Sequence, residues 1–221
     1  MNRRSLLLGL SGAAVLAAAG GWTMLRPGAT TEDLVASPAE AGGATPQILP
    51  DNVMGSANAP VTLIEYASFT CPHCAHFQQD VFKALKRDYI DTGKVRFILR
   101  EAYFDRYGLW AGQIAQCGGS PKYYAIADMM FTEQQAWIGD GQPETIGNNL
   151  RKIGLRAGLT KDQIEACLND NARAQAMVAT YQKHFTDDDI KGTPSLVING
   201  TKYENMSYEN LKKILDPLLA G

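Results

Sequence analysis

The sequence predicts a mixed α/β fold in which one sheet is assembled from two distant parts of the chain. A strand–helix–strand half comes first, a strand–strand–helix half comes last, and an all-helical insertion separates them. Three observations predict this. The run "VTLIEYASF" (61–69) is apolar and partly β-branched, as a central strand should be, and a helical pattern and a second strand-like run follow it. Near the C-terminus, "PSLVING" and "TKYEN" read as two strands joined by an Asn199-Gly200 turn. The interval 101–193 is far too long for a structureless loop inside a compact domain, and it carries helix signals instead.

Taken in chain order, the start reads as an address. "MNRRSLLLGLSGAAVLAAAGG" has a basic end, an apolar run and then small residues, the pattern of a signal peptide. Arg3-Arg4-Ser5-Leu6-Leu7 is similar to a twin-arginine signal, and the apolar stretch reaches Leu25, long enough for an uncleaved anchor. Residues 1–25 are therefore expected to be a signal peptide or N-terminal anchor, which places the body outside the cytoplasm, where disulfides persist. Residues 26–52, rich in Ala, Thr, Pro and Gly without apolar periodicity, read as a flexible linker. Residues 53–221 then form the folded domain, with the helical insertion over roughly 105–190.

After the first strand, Phe77, Val81, Leu85 and Tyr89 recur at helical spacing from Cys71 onward, and Gly93 ends the helix. "KVRFILR" is the next strand, parallel to the first because a helix joins them. In the interval, Ser120-Pro121 reads as a cap and first-turn proline, and Pro143-Glu144 as another start. Thr160 and Gln163 make a capping box, and "ARAQAMVATYQKHF" is strongly helix-forming. The last helix starts at Ser207 and turns Leu211, Ile214, Leu215 and Leu218 inward. Tyr103, Phe104, Trp110, Tyr123, Tyr124 and Trp137 read as core or capping residues, and Asp187-Asp188-Asp189 as a solvated helix end.

The 221 residues are 45% hydrophobic and 20% charged, enough for a packed core, with net charge −2. Arg3, Arg4 and Arg26 lie in or beside the address, so the body is more acidic than the whole chain, which argues against a general nucleic-acid binder.

Chemistry concentrates in "FTCPHCAHF" (69–77), which holds Cys71, Pro72, His73 and Cys74. A structural zinc site needs four ligands, usually as two local pairs, and no second close Cys/His pair exists. A purely structural bridge over so small a loop would add little stability. A redox pair fits the placement. Where a strand ends and a helix begins, unpaired N–H groups and a partial positive charge stabilise a thiolate, so Cys71 should ionise easily. Pro72 suits the first helical turn because its missing N–H would be unpaired anyway. His73 can add a hydrogen bond or positive charge beside the sulfur. The disulfide gains nothing from these groups, so the oxidised pair should give up its bond readily.

Cys71-Pro72-His73-Cys74 after a strand, Gly192-Thr193-Pro194 before a late strand, and the helical interval between them closely resemble the DsbA-like thiol:disulfide oxidoreductases of the thioredoxin-fold superfamily. The resemblance spans roughly 46–221. It implies a thioredoxin fold, a cis Thr193–Pro194 bond beside the redox pair, and a Thr193 backbone that pairs with an extended substrate. Glu65 stands six residues before Cys71. Two readings stay open: an edge-strand residue facing water, or, as the resemblance suggests, a buried acid that exchanges protons with Cys74. Cys117 and Cys167 are likewise either a second, non-catalytic disulfide of the kind some relatives carry, or two separate thiols. His76 and His184 read as bland. The resemblance implies a monomeric exported enzyme, without cofactor or metal, that oxidises reduced exported proteins. A membrane quinone-linked partner would reoxidise it. A disulfide isomerase or reductase, a copper-site or cytochrome-assembly oxidoreductase, and a metal-binding module are the rivals.

Overall fold

The structure, a computed structural model, describes residues 47–220. The expected signal or anchor (1–25) and most of the expected linker lie outside the described residues. The described part contains a five-stranded sheet in the order β1-β3-β2-β4-β5. The strands are β1 (Val53–Met54), β2 (Val61–Ala67), β3 (Val95–Glu101), β4 (Ser195–Ile198) and β5 (Thr201–Glu204). β2 and β3 pair in parallel, as their helical connection requires, whereas β2–β4, β4–β5 and β1–β3 are antiparallel. The turn between β4 and β5 is the expected Asn199-Gly200, both at positive φ (45° and 83°).

β2 is the central strand, and its alternation partitions the interior. Val61, Leu63 and Ala67 join the main core, with Val95, Phe97 and Leu99 of β3 and Leu196 and Ile198 of β4. Tyr66 on the opposite face joins a smaller cluster with Ile190 and Val197. The helix after Cys71, α1, covers residues 72–90 and includes two π-helical stretches, Gln78–Phe82 and Lys86–Ile90. A strict spacing of four drifts around an ordinary α-helix of about 3.6 residues per turn. The wider i→i+5 turns absorb that drift, so Phe77, Val81, Leu85 and Tyr89 all stay buried.

The insertion consists of α2 (Arg106–Cys117), α3 (Gly119–Thr132), α4 (Gln134–Ile138), α5 (Pro143–Arg156), α6 (Lys161–Leu168) and α7 (Asn171–Asp187). The Thr160–Gln163 capping box is present at α6, and Pro143 opens α5. Ile114, Tyr123, Ile126, Met130 and Trp137 extend the main core without a break, each burial stabilising by about 1.5–3 kcal/mol. A buried acid stitches the insertion to the sheet. Glu101 at the end of β3 accepts hydrogen bonds of 2.8 Å from Tyr103, Tyr123 and Gln116. Burial raises its pKa, and these hydrogen bonds oppose the rise. Gly112 lets α2 approach, because a Cβ there would collide with the Glu101 carboxyl. Cys117 and Cys167 form a disulfide with Cα atoms 5.8 Å apart. The last helix, α8 (Tyr208–Leu219), is capped by Ser207 as expected.

Several expectations need correction. The linker does not run to residue 52. The Leu49 amide donates to Thr180 Oγ1 at 2.8 Å, and Asp51 pairs with Arg100 at 3.0 Å, so the body begins before Val53. Ser120-Pro121 does not start a helix; α3 begins two residues earlier, with Gly118 as its cap and Gly119 as its first residue. Leu218 is 44% exposed and Leu219 is half-buried instead, since α8 rotates Leu211 and Leu215 squarely inward. Phe104 is 55% exposed, edge-on to Tyr181 and Phe185 rather than in the core. Asp188 is not merely solvated: it accepts from Arg100 and Tyr66.

The Cys117–Cys167 bridge closes a loop with a sequence separation of 50. Replacing both residues by Ala should cost up to about 4 kcal/mol of unfolding free energy in urea titrations. Mild reduction of the wild-type protein should expose only Cys71 and Cys74 to alkylation.

Candidate functional site

The site forms where β2 ends. The Ala102 amide still pairs with Ala67 O at 2.8 Å, after which the Cys71 amide turns back to Ser68 O at 3.1 Å. Cys71 is the N-cap of α1 in extended conformation (φ −82°, ψ 117°), with Pro72 at the first helical position. Its carbonyl accepts from the Cys74 and Ala75 amides at 3.1 and 3.2 Å, starting the helix. Cys71 is half-buried and Cys74 fully buried, so only the first sulfur is open to another molecule.

Antiparallel pairing brings the second motif to the same end of the sheet. Tyr66 of β2 faces Ser195 of β4, which places the preceding residues beside the end of β2. Cys71 Sγ lies 3.5 Å from the Thr193 carbonyl oxygen. The Thr193–Pro194 bond is cis, Pro194 is buried, and Ser195 Oγ donates to Gly192 O at 2.7 Å, closing the turn.

Electrostatics separate the two cysteines. A hydrogen bond from the Cys74 thiol, then the Thr193 side chain and the backbone amides of Cys74 and His73, lower the Cys71 pKa to about 5 against the opposing effect of partial burial. Burial, followed by the hydrogen bond to Cys71, drives Cys74 strongly the other way. The pair therefore holds one thiolate and one thiol. The His73 side chain is exposed, and its contribution to the sulfur comes through its backbone N–H.

Glu65 is not an edge residue. It lies on central β2 between Leu99 and Leu196, fully buried, facing the main core. Gln78 Nε2 donates to its Oε2 at 2.5 Å, while Oε1 has no partner among the described residues. Burial raises its pKa well above the carboxylate range, the Gln78 hydrogen bond opposes this, and charge on Cys71 adds to it. Charge on Glu65 in turn raises the pKa of Cys74, so the two groups interact.

Three further contacts have no sequence expectation behind them. Buried Gln134 of α4 donates to Phe69 O at 2.8 Å and Cys71 O at 3.0 Å, tying the insertion to the loop that leads into α1. Thr70 Oγ1 donates to Asp105 Oδ2 at 2.6 Å, while Asp105 caps α2 with its other oxygen. Only Gln78 had a legible signal, because it follows Cys74 by one helical turn and so shares its face. His76 is exposed, and His184 is half-buried, its carbonyl accepting from Tyr66. With Cys117 and Cys167 bonded to each other, neither is available to complete a metal site with Cys71 and Cys74.

The family model described as Thioredoxin matches residues 49–217. The chain belongs to the thioredoxin family. A Rickettsia typhi relative with the provisional name protein-disulfide oxidoreductase is 31% identical over 170 residues, 76% of this chain and 62% of its own. The chain thus spans less than two thirds of the length of that relative. Disulfide bond formation protein D of Bacillus subtilis is 28% identical over 181 residues, covering 70% of this chain and 80% of its own. Among solved structures, Wolbachia pipientis alpha-DsbA1 superimposes with a TM-score of 0.71 at 27% identity, over 79% of this chain and 94% of that one.

Alkylation of reduced protein should show Cys71 reacting with a half-maximal rate at a pH of about 5. In Cys74→Ala, which removes the leading donor to the thiolate, that midpoint should move toward the ordinary cysteine value of about 8.5.

Proposed function

We propose that this chain is an exported thiol:disulfide oxidoreductase that donates disulfides to reduced client proteins. The observation that carries this reading is the geometry of the pair: half-exposed Cys71 caps α1 with its sulfur 3.5 Å from the Thr193 carbonyl beside the cis proline, and Cys74 is buried behind it, an arrangement that lowers the pKa of the first thiol and raises that of the second. The donors that favour the Cys71 thiolate act only on the reduced protein, so the closed pair is the higher-energy state and tends to pass its bond on.

In the reaction, a client thiolate attacks Cys71 Sγ of the closed pair, and the Cys71–Cys74 bond breaks. Cys74 leaves with the electron pair and is protonated, with Glu65 as the proton source. A second client thiolate then attacks the client sulfur of the mixed disulfide and releases Cys71 as a thiolate. Thr193, ahead of the cis proline, presents its backbone to an extended client segment, in the manner of strand addition. The address at residues 1–25 supports export, and the Cys117–Cys167 bridge suits an oxidising compartment. No helix of the described residues is long and apolar enough to cross a membrane. The protein acts as a monomer on this reading and is reoxidised by a membrane quinone-linked partner.

Oxidative refolding of a reduced, disulfide-requiring client, run beside a scrambled client, tests the direction. Oxidation without unscrambling is expected, and the reverse outcome would replace the donor assignment with an isomerase. The reduced protein should also melt at a higher temperature than the oxidised one. The folded pKa of Cys71, about 5, lies below that of an unfolded cysteine. The thiolate's contribution is therefore complete only above the unfolded value and is lost as the pH falls through the folded one. The gap between the two melting temperatures should accordingly narrow from pH ~8 to pH ~5.

A further inference from the structure

The proton step at Cys74 has a part that the redox motif does not contain. We propose that Gln78 is a positioning residue: its amide holds Glu65 Oε2 and thereby assigns the other oxygen, Oε1, as the atom that passes a proton to and from Cys74. This inference rests on the thiol–disulfide exchange reading above.

Four observations support it. The Gln78 amide makes the sole hydrogen bond to the Glu65 carboxyl among the described residues, at 2.5 Å, and its own residue is only 5% exposed. Glu65 Oε1 is buried without a partner, and an unpaired buried carboxylate oxygen is costly unless something intermittently occupies it. Cys74 and Gln78 are one helical turn apart, so α1 presents both from the same face. Finally, the amide does not titrate, so its N–H stays on Oε2 whether the carboxyl is charged or neutral. A short N–H contact on Oε2 disfavours a second hydrogen there, and the acid form therefore carries its proton on Oε1. The groups acting on this carboxyl are Cys71 and Cys74 from the redox loop and helix and the Tyr124 phenol from α3. Leu99 and Leu196 flank it on the adjacent strands.

In closing the pair, the Cys74 thiol gives its proton to Glu65 Oε1 and attacks Cys71 Sγ of a mixed disulfide. The Cys71–Cys74 bond forms, the bond from Cys71 to the client sulfur breaks, and the client leaves as a thiolate with the electron pair. Opening the pair runs the same proton backward.

Mixing reduced full-length protein with a small aromatic disulfide releases its coloured thiolate in two phases, attack by Cys71 and then closure by Cys74. In Gln78→Met, a residue of similar length, the first phase should stay within about twofold while the second slows by about tenfold. Without the amide donor the carboxylate is less favoured, so the pH midpoint of the second phase should shift upward. In a Glu65→Gln background, Gln78→Met should change the second phase by less than about twofold, because its effect runs through Glu65. If Gln78→Met fails to fold, Gln78→Glu keeps the shape and makes two carboxyls share one proton, which should also raise the second-phase midpoint. An unchanged second phase, equal slowing of both phases, or a full effect without Glu65 would each overturn the assignment of Gln78. Absence of both phases in the wild-type protein would instead overturn the exchange reading itself.

Discussion

A negative charge on Cys71 Sγ is stable here because several donors converge on one point at the start of α1, and each is supplied by a different part of the fold. The helix contributes backbone amides, Cys74 contributes its thiol, and the far half of the chain contributes Thr193. Remove the helix start and the amides are lost; shift the β2–β4 register and Thr193 leaves the site, because one residue of slip reverses every side chain on the strand. The sheet order, the central placement of β2 and the two-part origin of the sheet all serve this convergence. The burial that disfavours charge on Cys74 comes from the same packing, so one arrangement yields both halves of the ionisation split.

The insertion is more than a cover. Gln134 holds the carbonyls of Phe69 and Cys71, and Asp105 joins Thr70 to the start of α2. Glu101 binds the end of β3 to the insertion through three neutral donors, and the Cys117–Cys167 bond fixes α2 to α6. Burial raises the pKa of this carboxyl, and the two hydroxyls and the amide that donate to it oppose that rise by favouring its charged form. Glu65 differs, with a single donor and one oxygen without a partner among the described residues. Two acids of the same core thus differ in their surroundings: Glu101 accepts three hydrogen bonds, and Glu65 accepts one among the described residues.

Local chemistry was legible in the sequence wherever a few adjacent residues determine the outcome. The strand period, the Asn199-Gly200 turn, the Thr160–Gln163 capping box and the Ser207 cap depend on neighbours, and each formed as read. The placement of Cys71 and Pro72 at a helix start was legible for the same reason, since a strand end, a cysteine and a first-turn proline lie side by side. Readings that depended on orientation fared less well. Helical spacing alone could not decide between Leu218 and Leu219, and Asp188 looked like a solvent residue until Arg100 and Tyr66 met it from the sheet.

By itself the sequence determined the order of elements, the place of Cys71-Pro72-His73-Cys74 at the start of a helix and the two-part construction of the sheet. Backbone propensity and hydrophobic period act over a few residues, and the chain records them directly. The tertiary structure alone decided that Glu65 is buried rather than wet, that Cys117 meets Cys167, and that Gln134 and Thr193 converge on Cys71. Those outcomes depend on which strand becomes central and on contacts between residues fifty or more positions apart. No local signal encodes such contacts, because the groups that make them are neighbours only after the sheet and the insertion have packed.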